Sequence, residues 1–209
     1  MQAITSSPSN KTQVCKYTKM PSALTPNTTT TPPTQSISTF ETDLQNLHLI
    51  YDYTVKPPSP FDDSDSHSQE IQKWRYEMYF HSPRRIIYAI HGGPMAGRKN
   101  FQAATYQRIR AHELWQVDWL EETGTICSLV YDIPNGKVTT LLGFSKGHWE
   151  CNEAVKGDER NKEDLERWRG LASIGNQRER VLLSEQADVV EKFWGLGGLE
   201  GIDLGWDTM

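Results

Sequence analysis

Cysteine is scarce in this sequence. The three that occur, Cys15, Cys127 and Cys151, are odd in number and far apart, and they form no Cys-x-x-Cys pair. That pattern excludes a disulfide framework or a zinc knuckle and predicts reduced thiols in a cytoplasmic protein. The six histidines show no His-x-His or His-x-x-x-His spacing, so a metal site has no sequence support. No apolar run approaches the ~20 residues of a membrane span. Positive charge is not in excess: the net charge is −5 and the pI about 5.7. There is therefore no electrostatic case for nucleic acid or an anionic membrane as partner.

Residues 1–40 lack Asp, Glu, Gly and Arg, and Ser, Thr and Pro make up over half of them. Such a segment cannot bury enough apolar surface to offset its ordering entropy, and it reads as a disordered tail. It has neither the continuous apolar core of a signal peptide nor the arginines of a transit peptide. Asn10-Lys11-Thr12 and Asn27-Thr28-Thr29 match the glycosylation sequon, as a Thr-rich stretch does by chance. Residues 41–209 are expected to form one domain.

The organising stretch of that domain is His48 to Val55. Side chains alternate across a strand, so Leu49, Tyr51, Tyr53 and Val55 share one face, a mostly apolar wall with two neutral hydroxyls. Lys56-Pro57-Pro58-Ser59-Pro60 ends the strand, and an acidic, Ser-rich exposed loop runs from Phe61 to Glu70. Lys73 to Phe80 alternates again, with Trp74, Tyr76, Met78 and Phe80 together. After a turn at His81-Ser82-Pro83-Arg84, Ile86, Tyr88 and Ile90 alternate with Ile87, Ala89 and His91. The glycines of Gly92 to Gly97 permit a tight turn, but the spacing is not that of a P-loop. Further strands are expected over Phe101–Ile109, Glu113–Trp119, Thr125–Asp132 and Lys137–Leu142. Asp158 is placed to cap a helix running to about Trp168. Gln186 to Trp194 reads as a last strand, with helix nearly as compatible, and a Gly-rich tail follows. Seven or eight short strands with hairpin-length connections predict an antiparallel barrel or sandwich. An eight-strand barrel leaves room inside for one small ligand.

Four motifs carry a resemblance. Leu49-Ile50-Tyr51-Asp52-Tyr53, Trp74-Arg75-Tyr76-Glu77-Met78-Tyr79, Ile90-His91-Gly92-Gly93-Pro94-Met95-Ala96-Gly97-Arg98 and Trp119-Leu120-Glu121-Glu122-Thr123-Gly124-Thr125 stand in that order. Together they resemble the phenolic acid decarboxylase family, and Phe144-Ser145-Lys146 resembles its Phe-Pro-Lys element. The similarity covers about residues 47–150. It implies a mainly β fold: an antiparallel lipocalin-like barrel of about eight strands with one or two flanking C-terminal helices. It also implies a homodimer that needs no cofactor and converts 4-hydroxycinnamic acids (p-coumaric, ferulic, caffeic) to 4-vinylphenols and carbon dioxide. The catalytic residues it implies are Glu121, Arg98, Tyr51 and Tyr53. The expected substrate-binding wall is Tyr76, Trp74, Ile90, Met95 and Trp119.

Chemistry gives these types a reason to be there. Direct loss of carbon dioxide from a cinnamate would leave a vinyl carbanion without an electron sink. Protonation of the alkene carbon next to the carboxylate, with electron push from the para-oxygen, gives a quinone methide that accepts the pair. The protein need only orient the substrate, manage protons and exclude water. Glu121 is the candidate acid, kept protonated by burial near Trp119. Neutral tyrosine donors suit a carboxylate whose charge disappears in the reaction. Arg98 can pair with Glu121 or stabilise phenolate charge.

The chain departs from the family where Lys99 replaces an aromatic, where Glu121-Glu122 replaces Glu-Pro, and over the long 56–72 loop. Which of the two glutamates points inward is open at this stage. The tail and altered rim are compatible with a divergent fungal member. Two other readings stay open: the same barrel used for cyclisation or isomerisation of another aromatic or polyketide-like substrate, and a non-catalytic carrier.

Overall fold

Several strands of the domain are built on alternation between a buried and a less buried face. β1 (Leu47–Val55) sends Leu47, Leu49, Tyr51, Tyr53 and Val55 into the core. β5 (Leu114–Leu120) does the same with Trp115, Val117 and Trp119, and β6 (Ile126–Asp132) with Cys127, Leu129 and Tyr131. The structure is a computed structural model that describes residues 37–56, 71–199 and 201. The sequons and most of the Ser/Thr/Pro-rich segment, and the acidic loop expected over 61–70, lie outside the described residues. Within 1–40 the last residues open a helix, α1 (Ile37–Asp43).

The remaining barrel strands are β2 (Gln72–Ser82), β3 (Arg85–Ile90), β4 (Arg98–Arg110), β7 (Lys137–Phe144) and β9 (Val181–Trp194). A two-residue β8 (Gly157–Asp158) pairs in parallel with the start of β4. The sheet runs β3-β2-β1-β9-β7-β6-β5-β4, every neighbouring pair among these is antiparallel, and a β3–β4 pairing closes the circle. This is a closed eight-strand barrel of the lipocalin-like kind. Closure gives every barrel strand a neighbour on both sides, and it settles the reading of residues 186–194. That segment is a strand because it must pair with both β1 and β7.

The two ends are sealed differently. At one, α1 lays Phe40 edge-on against Tyr106, with ring centroids 4.8 Å apart. Asp43 there accepts the Trp115 indole N–H at 3.2 Å. At the other end sit α2 (Lys146–Glu150), a 3-10 turn (Asn152–Val155) and α3 (Lys162–Leu171). The α3 cap is Asn161, whose side chain accepts the Glu163 N–H at 2.9 Å. Asp158, expected in that role, instead accepts the Arg160 N–H at 3.0 Å and binds its guanidinium. The difference arises because β8 keeps Asp158 on the sheet, three residues ahead of the Asn161 cap. Gly147 lets α2 meet the end of α3: a Cβ there would lie 2.2 Å from the Leu171 carbonyl oxygen.

Other expectations are also corrected. Cys127 is free and buried, but Cys151 is disulfide-bonded, so the expectation of three reduced thiols does not hold. Leu199 is buried with Tyr79, Ile87, Ala89 and Phe101 on the outer side of the sheet, so the segment after β9 is not a free tail at that point. Among the described residues, no helix is long and apolar enough to cross a membrane.

Candidate active site

Two turns at the α2/α3 end aim the charged groups inward. After β5 the chain reverses tightly: the Glu121 N–H donates to the Thr125 carbonyl at 2.9 Å, and Gly124 donates back to the Glu121 carbonyl at 2.8 Å. Gly124 has φ +79°, a left-handed conformation that suits glycine. Before β4, Gly97 (φ +94°) turns the chain so that its N–H meets the Ile90 carbonyl at 2.8 Å. Arg98 then enters the interior at the first position of β4.

Arg98 is almost wholly buried, at 1% exposed. One Nη donates to the Val155 carbonyl at 2.9 Å and the other to Glu121 Oε2 at 3.3 Å. The guanidinium lies 3.8 Å from the centre of the Trp168 ring, a cation–π contact supplied by α3. Burial disfavours its charge, but Glu121, Tyr88 and Glu122 outweigh that and hold its pKa above the ordinary value. Glu121 is gripped from several sides. Tyr88 donates to its Oε1 at 2.5 Å, Thr123 to Oε2 at 3.3 Å, and the Cys127 thiol lies 3.7 Å from Oε1. Burial pushes the Glu121 carboxyl up, yet the Arg98 charge and the hydrogen bonds from Tyr88 and Thr123 more than reverse it. Glu121 is thus held below the usual carboxylate range. This corrects the expectation of an acid kept protonated by burial: the resting group is a carboxylate, because a buried cation stands beside it.

The structure also separates the two glutamates. Both are buried, but only Glu121 reaches the cavity wall. Glu122 turns aside to accept Gln102 Nε2 at 2.7 and 2.9 Å.

The space between these groups and β1 is a cavity that encloses about 430 Å³ with its open mouth included. It brings together Tyr51, Tyr53, Tyr76, Ile90, Met95, Arg98, Trp119 and Glu121. Tyr76 stacks on Tyr51 at 6.0 Å and 11°, and Tyr53 stands edge-on to both. Burial raises all three phenol pKa values, so these side chains are neutral. Tyr53 bonds Thr140 Oγ1 at 2.6 Å. The Tyr51 and Tyr131 hydroxyls lie close enough to perturb each other, but neither closes a hydrogen bond of normal geometry. Trp74 is not part of this wall. Its indole packs under the turn before Arg98, where a Cβ on Gly93 would meet it at 2.5 Å.

Tyr88 and His148 are among the cavity residues that sequence reasoning missed. Tyr88 shares the inward parity of Ile86 and Ile90, so the alternation carried a signal for it. His148 had none: it arrives from α2, outside the barrel strands. Its Nδ1 lies 2.8 Å from Thr123 Oγ1 and 2.7 Å from Thr125 Oγ1, and its Nε2 3.0 Å from Met95 Sδ. Burial lowers its pKa to about 3, with Glu121 opposing and Arg98 assisting, so the imidazole is neutral. Among the described residues, no group of three or more His, Cys, Asp or Glu side chains is arranged to hold a metal ion.

A closed lipocalin-like barrel with an apolar-walled cavity and a buried carboxylate–guanidinium pair at its wall defines a small-molecule pocket. The chain belongs to the phenolic acid decarboxylase family, whose model matches residues 69–190. A probable phenolic acid decarboxylase from Vibrio cholerae serotype O1 is 31% identical over 86 residues, which is 41% of this chain and 48% of that protein. The match therefore spans about half the length of this curated relative. A solved structure of a putative beta-lactamase from Burkholderia vietnamiensis is 14% identical and covers 77% of this chain and 97% of its own, with a TM-score of 0.39. That value is too low to support an argument from its fold.

Proposed function

We propose that the chain is a carboxy-lyase that converts 4-hydroxycinnamic acids such as p-coumaric, ferulic and caffeic acid to 4-vinylphenols and carbon dioxide without a cofactor. The observation that carries this reading is the Glu121 carboxylate, held ionised by Arg98 at the wall of a cavity whose other wall presents the unpartnered Tyr51 hydroxyl. In this reading Glu121 is a base at the phenol end and Arg98 offsets the phenolate charge. Tyr51 and Tyr53 offer neutral donors to the carboxylate, and Tyr76, Ile90, Met95 and Trp119 confine the ring. Trp74 supports the turn that carries Arg98.

Glu121 takes the phenol proton while the alkene carbon next to the carboxylate gains one from a solvent water at the cavity mouth, whose hydroxide is neutralised by the bulk, which gives the quinone methide. The bond to the carboxylate breaks, and its electron pair restores the aromatic ring as a phenolate. Glu121 returns its proton and 4-vinylphenol leaves. One proton from solvent is consumed for each carboxylate lost. A carrier would gain nothing from a buried ion pair, which costs desolvation.

Purified protein given p-coumaric and ferulic acids, with no added metal or nucleotide, is expected to bleach the cinnamate absorbance and yield the vinylphenols by mass. 4-Methoxycinnamic acid, which has no phenol proton to give, is expected to bind without turnover. Binding of all three acids with no turnover would overturn the decarboxylase reading and favour a different acid–base reaction in the same barrel.

A homodimer belongs to the same proposal. Leu120, Ile126 and Leu182 are exposed apolar residues on strands β5, β6 and β9. The register places them in one row across the sheet, with Gly143 between the last two. Leu182→Asp is expected to turn dimers into monomers in sedimentation; a parent protein that sediments as a monomer would remove the dimer from the proposal. A cytoplasmic location belongs to the same proposal.

A further inference from the structure

Beside the cavity, β4 pairs with β8 at Arg98 and Lys99 and meets β5 only from Ala104 onward. Glu122 and Glu159 fill the interval. The Phe101 N–H donates to Glu159 Oε2 at 2.8 Å. Glu122 is saturated with donors: Gln102 Nε2 reaches both of its oxygens, Asn100 Nδ2 lies 3.3 Å away, and Arg98 Nη2 lies at 3.8 Å. Glu159 is 3% exposed and its Oε1 is buried with no donor; it and Glu122 accept from adjacent positions of the same short stretch of β4, Phe101 for one and Asn100 and Gln102 for the other. Two ionised carboxylates in one buried layer repel, and neither has a donor to offer the orphaned oxygen, since each carries only lone pairs. One proton between them satisfies the orphaned oxygen. Glu122 already receives every nearby amide donor, so the proton sits on Glu159.

We propose that Glu159 and Glu122 share one proton and act as a single negative charge beside Arg98, which makes them positioning residues for the Arg98–Glu121 pair. The pair's surroundings agree. Burial and the Glu122 charge push the Glu159 carboxyl up to about 9. The nearby titratable and charged groups are Arg98 and Lys99 on β4, Tyr88 on β3, Glu121 after β5, His148 on α2, Asp158 and Arg160 flanking Glu159, and Asp164 on α3. Arg160 is engaged by Asp158, and Asp164 by Arg167 at 2.7 Å. Arg98 is thus the cation closest to both glutamates of the turn.

With one proton in the pair, Arg98 faces two carboxylates, Glu122 and Glu121. The centre carries one net negative charge at rest and none once Glu121 has taken a proton. A third ionised carboxyl in the same buried layer would raise the Glu121 pKa and leave the base protonated at rest. Glu122 stands where the family has proline, so this arrangement belongs to the chain's own departure from the pattern.

The consequence for turnover rests on the decarboxylase reading; the shared proton does not. The first measurement is therefore infrared spectroscopy of the full chain at neutral pH. A protonated-carboxyl C=O band is expected in the parent and absent in Glu159→Gln. Its absence from the parent would overturn the proposal whether or not hydroxycinnamates are turned over.

The second measurement is the pH profile of kcat/KM for p-coumarate, corrected for the acid's own ionisation. Glu159→Gln keeps one charge on Glu122, and its acid limb is expected to stay with the parent. Glu122→Gln/Glu159→Gln removes the charge, leaves Arg98 to Glu121 alone, and is expected to move the limb to lower pH by about one unit. A limb in Glu159→Gln displaced as far as in the double variant would show that Glu159 carries its own charge and sink the idea. If the double variant fails to fold, the infrared comparison still decides.

Discussion

Glu121→Gln is expected to lower kcat for p-coumarate by about 10²–10⁴-fold, the usual contribution of a positioned acid or base. The isosteric amide can still accept from Tyr88, but it cannot take a phenol proton. Without that transfer the para-oxygen cannot push electrons through the ring, and the quinone methide is not reached. Binding is expected to survive, because the tyrosine wall and the apolar confinement are untouched. Stability should fall by about 1.5–3 kcal/mol, the value of a hydrogen bond to a charged group. Arg98 keeps Glu122 at 3.8 Å, so its charge is not stranded. Steady-state turnover, ligand titration and urea unfolding on one preparation separate these effects. Since Glu121 is held below the ordinary carboxylate range, the parent's kcat/KM should stay flat from neutral pH down past that range. Its limb should be missing from the residual activity of the variant. Turnover within a few-fold of the parent would remove Glu121 from the chemistry.

The second large effect concerns stability in acid. Folded His148 titrates near 3, against an ordinary value of 6.5. Between those values the unfolded chain binds a proton that the folded chain refuses. Acidification therefore favours unfolding by up to about 1.4 kcal/mol per pH unit. The contribution of neutral His148 is whole above about pH 6.5 and drains away as pH falls toward 3. From pH 6.5 to 4.5 it amounts to roughly 2–3 kcal/mol. His148→Gln has no charge to acquire and is expected to lose that much less stability than the parent across this interval. The measurement is urea unfolding at several pH values. Parallel pH curves for parent and variant would show that His148 is not the titrating group. The same burial keeps the imidazole neutral beside Arg98, so it adds no second cation to the site.

Parts of this architecture were legible in the residues. Alternation at Tyr51, Tyr53, Trp115, Val117 and Trp119 marks strands with one buried face, because side chains on a strand have a period of two. Glu121-Glu122-Thr123-Gly124 is readable as a turn through Gly124, and the glycines before Arg98 in the same way. What alternation cannot convey is direction once a strand has ended. Glu121 and Glu122 are neighbours in a turn, and their separation into cavity and side layer depends on where Gln102 and Asn100 stand on another strand. His148 was invisible for a related reason: it lies on a short helix whose placement is decided by Gly147 against the Leu171 carbonyl. Trp74 has the right parity for the wall, but the glycine turn closes over it.

The sequence by itself determined the mainly β class, the inward set of aromatics, and the order of motifs that marks the family. These depend on local periodicity and spacing, which the chain carries wherever it folds. Only the tertiary structure decided the charge states. Glu121 looked like a buried acid when judged by Trp119 alone, and became a carboxylate once Arg98, 23 residues away in sequence, was placed 3.3 Å from it. Glu159 has no signal in its own neighbourhood and acquires its proton only by meeting Glu122. A pKa is set by the charges and donors within a few ångströms, and in a closed barrel those come from strands and helices distant along the chain.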